Sequence, residues 1–415
     1  MMPDAEPVDD CPCWPSWPVA TTEVLESVAD ALLAGRWSIS SAAAAVASRE
    51  AQFAESFAAY NGSRYCVPAS HGTAGLTIAL EACGVGGGDE VITPALSWVA
   101  SASAALAVNA VPILTDVDPR TLCLDPVAVE AAITARTRAI VVVHLYSAVA
   151  DLAALLDIAR RHDLVVIEDC SQSHGAEYRG RKVGTFGSAG VFSMHESKVL
   201  TCGEGGAAIT DDAEIARRLF RLRSDGRDPR KVEPGEQGWS LVESGRPMGT
   251  NFALSEIHAA ILLAQLRVLD EQIDRRNEAL ALLSGLLADA GIEIQATAPE
   301  TTRRSPFGLP IRIPPDSACG DPREIADRLW RQLRVPTRQA YRSIGTSPLY
   351  KPESRRRFRI SDDYLARIES AARRPAPAAD RVASETIVLP HQVLLADRAD
   401  LARLADSLRR LFYPR

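Results

Sequence analysis

Between residues 64 and 210, short apolar stretches alternate with longer ones whose apolar positions recur at helical spacing. Strand patterns fall at 64–68, 90–93, 111–115, 139–143, 164–167, 191–193 and 207–210. Helical patterns fall between them at 72–83, 97–108 and 151–162. The run at 139–143 is apolar throughout, as expected of a strand buried on both faces. This βαβ alternation predicts an α/β class protein: a mostly parallel sheet with helices on both faces. Such sheets bind ligands beyond the carboxyl ends of their strands. Two helical patterns precede the sheet, at 22–35 and 41–60, the second stopping at Asn61-Gly62. A long helical stretch at 254–287 follows it. The pattern then changes to strands at 308–313 and 386–389 among helices at 322–333, 361–372 and 397–412. The expected organisation is an irregular arm (1–20), a large α/β domain (21–275) and a small C-terminal α+β domain (276–415). Pro375-Ala376-Pro377 reads as a turn within the latter.

The length of 415 residues fits two such units better than one core. A formal net charge of −7 gives no global attraction for nucleic acid or an anionic membrane. Arg355, Arg356, Arg357 and Arg359 form a local basic run, read as a solvated or anion-contacting edge. No apolar stretch has the roughly 18 residues needed to span a bilayer. The acidic, Pro/Cys-rich N-terminus lacks a signal peptide's basic and apolar regions, so a cytoplasmic location is expected. Apart from Cys11 and Cys13, the cysteines stand singly among apolar residues, as buried thiols do. No second Cys or His pair completes a four-ligand metal set, and no metal is expected.

The chemistry concentrates at the carboxyl ends of the inferred strands. In Val191–Thr210, VFSMHESKVLTCGEGGAAIT, a strand runs into Ser193 and Lys198 follows before a glycine turn. A lysine projected into a cleft can have a lowered pKa and form an imine with an aldehyde. Alone, it would be an ordinary surface lysine. Glu168-Asp169 ends the strand at 164–167, where a carboxylate can pair with a protonated pyridine nitrogen or simply cap the strand. Asp169 is assigned to the ring and Glu168 to structure. Ser70-His71-Gly72-Thr73-Ala74-Gly75 lies between a strand and a helix, where helix N–H groups and the Thr73 hydroxyl can bind phosphate. It is neither a P-loop nor a dinucleotide fingerprint. Trp98 follows the strand at 90–93 and can stack on a planar ring or fill the core. The set of phosphate loop, aromatic, acid and Ser/Lys shares one chemical purpose.

With SHGTAGLTIAL, GDEVITPALSWVASASA, VVVHLYSAVADL, VIEDCSQSHGAEYRGRKVG, FSMHESKVLTCGEGGAAIT and NFALSEIHAAILLAQL in this order, the chain resembles the DegT/DnrJ/EryC1/StrS aminotransferases from about 20 to 412. The resemblance implies a fold-type I pyridoxal-phosphate (PLP) transferase with a mostly parallel seven-stranded-type sheet. It also implies a homodimer with its active site at the interface. Lys198 would be the Schiff-base lysine, Asp169 the partner of the pyridine nitrogen and Gln172 that of the ring's phenolic oxygen. Trp98 would stack on the ring, and Gly72, Thr73 and Ser193 would hold the phosphate. Asn251 matches an asparagine that reaches the phosphate of the neighbouring subunit's cofactor; locally it reads as a helix N-cap. Tyr341 and His391 match substrate-facing segments, and otherwise read as packing. TPALSW and VHLY resemble the branch acting on keto-cyclitols such as scyllo-inosose and 2-deoxy-scyllo-inosose. His195 resembles instead the branch acting on nucleotide-linked keto-sugars, and His71 stands where Ser or Asn is usual. Ser147-Ala148-Val149 likewise replaces a more usual turn. The expected reaction is transamination of a cyclic ketone, with L-glutamine or L-glutamate as donor. A sugar 3-dehydratase would have His at the Lys198 position, and a non-catalytic partner protein of this fold would have lost the lysine or the acid.

Overall fold

In the computed structural model the described residues are 14–41, 46–231, 239–245 and 247–414. Cys11, Cys13 and most of the arm before Trp14 lie outside them. The apolar runs become strands in the expected places: β1 (Tyr65–Ala69), β2 (Glu90–Pro94), β3 (Val111–Thr115), β4 (Thr137–Val143) and β5 (Val165–Asp169). A small hairpin follows, β6 (Glu177–Tyr178) and β7 (Arg181–Lys182), then β8 (Ala189–Ser193) and β9 (Gly206–Thr210). Seven of these form one sheet in the order β1-β9-β8-β5-β4-β2-β3. Neighbours from β3 to β8 are parallel, whereas β9 runs antiparallel to β1 and β8. Register places Val143 opposite Asp169 and Asp169 opposite Val191, so β4, β5 and β8 end side by side.

Flanking helices are α1 (Thr22–Leu33), α2 (Arg49–Asn61), α3 (Gly72–Ala82), α4 (Ala100–Ala107), α5 (Pro126–Ala132), α6 (Leu152–Arg161) and α7 (Ala213–Arg223). Helix α2 starts later than the expected residue 41, because Ser48 caps it by accepting from the Ala51 N–H. It ends at Gly62, left-handed at φ 69. Helix α4 starts at Ala100 instead of 97, because residues 95–99 turn and set Trp98 at the strand-end loop. Helices α5 and α7 were not expected from periodicity; aspartate caps, Asp125 and Asp212, mark both.

A second hairpin, β10 (Arg227–Lys231) and β11 (Trp239–Glu243), precedes α8 (Glu256–Ala288), a helix of 33 residues in which position 275 lies. Its buried N-terminal Glu256 accepts from Arg36 Nε (3.1 Å), Ser48 Oγ (2.6 Å) and the Glu50 N–H (2.9 Å), tying α1 and α2 to it. Beyond β12 (Thr301–Arg303), β13 (Gly308–Arg312) and β14 (Arg338–Gln339) flank β15 (Thr386–Pro390) in an antiparallel sheet. This sheet, α9 (Pro322–Leu333), α12 (Arg398–Phe412) and the last turns of α8 enclose one apolar cluster. Helices α10 (Asp362–Ala372) and α11 (Pro377–Ser384) instead pack into the larger cluster around the main sheet. Pro377 is therefore both the end of a turn and a helix N-terminus. Arg355, Arg356, Arg357 and Arg359 are exposed. The six described cysteines are free. Among the described residues no helix is long and apolar enough to cross a membrane.

Candidate active site

The ends of β4, β5 and β8, the N-terminus of α3 and the turn after β2 enclose a cavity of about 540 Å³. Of the ten residues singled out above, Gly72, Thr73, Trp98, Asp169, Gln172, Ser193, Lys198 and Tyr341 line it. His391 and Asn251 do not.

Lys198 sits in the irregular loop between β8 and β9, with its Nζ 4.1 Å from the centroid of the Phe307 ring. Burial pulls its pKa down to about 8, helped by the Arg338 charge and opposed by Asp169. A fraction of uncharged amine is thus present at neutral pH. Asp169 ends β5. Its carboxylate accepts from Ser101 Oγ (3.2 Å) and the Ser171 N–H (3.1 Å), and Ser101 in turn meets Ser97 at 3.1 Å. Glu168 faces the other way. It accepts from the N–H groups of Gly184, Phe186 and Gly187 at 2.7–2.8 Å and pairs with His144 Nε2 at 3.3 Å. The division between a structural and a cavity-facing acid follows from strand alternation at β5.

His144 Nε2, a Glu168 oxygen and Cys170 Sγ lie within 4.8 Å of one another. His144 Nδ1 accepts the Ala150 N–H, so its Nε2–H donates to Glu168. Burial raises the Cys170 thiol pKa well above its usual range. These partners make the cluster a hydrogen-bonded brace under the loop at 184–187.

At the opposite wall, His71 caps α3, its Nδ1 accepting the Ala74 N–H at 3.0 Å. The imidazole thus does the capping work that a short polar side chain commonly does at a helix N-terminus. Gly72 is required by contact: a Cβ there would lie 2.6 Å from Ser193 Cβ. With no side chain at Gly72, the helix N-terminus opens directly toward Ser193 and Thr73.

Gln172 is buried and accepts the Tyr146 N–H at 2.8 Å. Tyr341 stacks on Tyr146 (5.2 Å, 20°) and tilts against Trp98 (6.0 Å, 56°). Trp98 is 50 % exposed, with its ring at the cavity instead of in the core. His391 is buried behind the lysine loop, its Nε2 3.1 Å from the Ser197 carbonyl. Asn251 is exposed, and its Oδ1 accepts the Ala253 N–H. The N-cap of α8 is Ser255, which bonds the His258 N–H, so the local N-cap reading of Asn251 is corrected. Periodicity had no means of finding Phe307 and Arg338, which reach the cavity from the C-terminal part of the chain. His195 also lines it, its Nδ1 3.0 Å from Ser197 Oγ.

The family model of the DegT/DnrJ/EryC1/StrS aminotransferase family matches residues 28–409. The chain is 53 % identical over 399 residues to the L-glutamine:scyllo-inosose aminotransferase of Streptomyces griseus, covering 96 % of this chain and 94 % of that protein. It is 51 % identical, with the same coverage, to the L-glutamine:2-deoxy-scyllo-inosose aminotransferase of Streptoalloteichus tenebrarius. Among solved structures it resembles 3-amino-5-hydroxybenzoic acid (AHBA) synthase, with a TM-score of 0.84 and 32 % identity over 97 % of this chain and 99 % of that one. The donor set fits the cofactor of this family: a partly buried amine, a carboxylate across the cavity and a helix N-terminus cleared by a glycine. The chain belongs to the DegT/DnrJ/EryC1/StrS aminotransferase family and is a PLP-dependent aminotransferase.

Proposed function

We propose that this enzyme transfers the amino group of L-glutamine to the ketone of a keto-cyclitol, scyllo-inosose or 2-deoxy-scyllo-inosose, in aminocyclitol biosynthesis of the aminoglycoside type. One observation carries the reading: identity of about half, across 96 % of the chain, to relatives named for these two reactions.

When bound, PLP supplies an aldehyde and an electron-withdrawing pyridinium ring. Lys198 would hold it covalently and then serve as the general base and acid that carries the proton in each half-reaction, a role its lowered pKa suits. Asp169, oriented by Ser101 and Ser171, would pair with the ring nitrogen and keep it protonated. Gln172 would meet the phenolic oxygen and Trp98 would cover the ring. The N–H groups at Gly72 and Thr73, with Ser193, would hold the phosphate. Arg338, a guanidinium at the cavity wall, receives the donor's α-carboxylate. Tyr341 sits where the cyclic ketone enters. The active form is a homodimer. Asn251, exposed on its own protomer, would reach the phosphate in the partner's site.

The test is direct. Purified protein carries a visible-edge absorbance that L-glutamine removes and a keto-cyclitol restores. A Lys198→Ala protein with the same absorbance would sink the assignment of Lys198 as the cofactor's attachment point. A panel of scyllo-inosose, 2-deoxy-scyllo-inosose and nucleotide-linked keto-sugars, with glutamine and glutamate as donors, decides acceptor and donor. Turnover of a nucleotide-linked sugar alone would overturn the cyclitol reading.

A further inference from the structure

The loop 194–205 belongs to no sheet ladder, so its backbone groups need other partners. Met194 N–H reaches the Gly205 carbonyl (2.7 Å), and Lys198 N–H the His195 carbonyl (2.9 Å). The carbonyls of Ser197 and Lys198 are held from outside the loop. Trp17, in the N-terminal arm, donates its indole Nε1–H to the Lys198 carbonyl at 3.0 Å. His391, at the end of β15, lies with Nε2 3.1 Å from the Ser197 carbonyl.

The tautomer of His391 follows from its other side. Arg276 Nη2 sits 3.0 Å from Nδ1, and a guanidinium can only donate. Nδ1 is therefore the acceptor, Nε2 carries the proton, and it donates to Ser197. Burial and the neighbouring Arg276 charge push the His391 pKa well below its usual value, so this neutral tautomer persists. The Arg276 guanidinium lies 5.0 Å from the Trp17 ring centroid, and the Trp17 and His391 rings meet edge to face at 4.9 Å and 84°. Trp14 pins the arm beside α9, its Nε1 2.6 Å from the Leu333 carbonyl. Trp17 and His391 also line a chamber of about 240 Å³ that shares Ser197, Phe307 and Arg338 with the main cavity.

We propose that Trp17 and His391, the latter oriented by Arg276, are positioning residues for Lys198. By holding two consecutive carbonyls from the arm and from the turn that follows β15, they aim the amine into the cavity. The role rests on Lys198 being the reacting amine. It gives the N-terminal arm a catalytic purpose that its composition does not disclose.

Trp17→Phe keeps the ring and removes the donor; His391→Phe does the same on the other carbonyl, while His391→Gln keeps a donor. The first readout is the rate at which cofactor-free full-length chain captures PLP, followed by visible absorbance across pH. Capture needs the free amine, whose facing groups are Asp169, Arg338, His174 and His391. With burial pulling the amine pKa down to about 8, half-maximal capture in wild type is expected well below the ordinary lysine range. In Trp17→Phe and His391→Phe it moves upward as the loosened amine reaches water. Their kcat falls about tenfold, with donor KM within about twofold, as misplacement of a reacting group does. His391→Gln recovers most of both.

Thermal midpoints are recorded alongside. Unfolding at lower temperature with unchanged capture profile and kcat means that the two residues only brace the fold, and overturns the proposal. Where Trp17→Phe does not fold, the contrast between His391→Gln and His391→Phe decides alone. Lys198→Ala is the separate control. If it captures PLP as wild type does, the lysine assignment has failed; if it does not while the Phe variants match wild type, only the positioning role has.

Discussion

Two adjacent acids show how one residue's direction decides its work. Buried Glu168 is saturated by three backbone N–H groups and His144, whereas Asp169 faces the cavity with two partners. Glu168→Ala leaves those donors unpaired and should destabilise the fold by about 3–5 kcal/mol, read by urea unfolding. Asp169→Asn should fold with wild-type stability and lose about 100-fold or more in kcat, as removal of a charge-stabilising group does. The reverse pattern would exchange the two roles. Lys198 adds a pH signature. Its folded pKa, about 8, lies below the ordinary lysine value of 10.5. Between these values the unfolded chain holds more protons, so stability rises with pH across that window and is lowest below it. Measured as the difference from Lys198→Met in cofactor-free protein, wild type should gain stability from pH 8 to 10.5. A flat difference would contradict the buried-amine description.

At the scale of elements, the proposed phosphate cradle rests on a close approach between the start of α3 and the end of β8. Gly72→Ala drives a methyl to 2.6 Å from Ser193 Cβ, an atom carried directly on the β8 backbone. Overpacking of this kind costs about 1–3 kcal/mol. The prediction is a loss of PLP affinity of about tenfold or more, seen in equilibrium dialysis, with secondary structure intact by circular dichroism. His71→Asn should instead bind PLP as wild type does, since Asn also caps. Such elements were legible because strand ends follow apolar runs and caps follow short polar residues. Lys198, Asp169, Thr73 and Trp98 all stand at boundaries that periodicity marks. Phe307 and Arg338 were not legible, because no local pattern says that the chain beyond α8 folds back over the cavity. His391 was read as a substrate-facing candidate, yet it lies outside the cavity lining; its contact with the Ser197 carbonyl was not legible, since its orientation depends on Arg276, 115 residues away. The start of α2 was missed because an alanine-rich stretch has helical propensity on either side of the capping Ser48.

For the whole molecule, the decisive question is whether each site is completed by a second chain. Asn251 resembles a phosphate ligand, yet it is exposed and lies outside the cavity of its own protomer. A homodimer with shared sites reconciles the two, and makes a prediction that no single-chain site can imitate. Lys198→Ala dimers lack the attachment point in both sites, and Asn251→Ala dimers have both phosphate cradles weakened. When the two variants are unfolded together and refolded as an equal mixture, half the dimers are mixed. In each mixed dimer one site pairs an intact Lys198 with an intact Asn251 contributed by the other chain, while the second site carries both defects. With random pairing about a quarter of all sites are therefore wild type, and activity returns to about that level. If Asn251 served its own protomer's site, every mixed dimer would hold one site lacking Lys198 and one lacking Asn251. Activity would then stay at the mean of the parents. The same samples run on a sizing column establish the dimer itself, so a monomeric enzyme and a dimer with self-contained sites give different results.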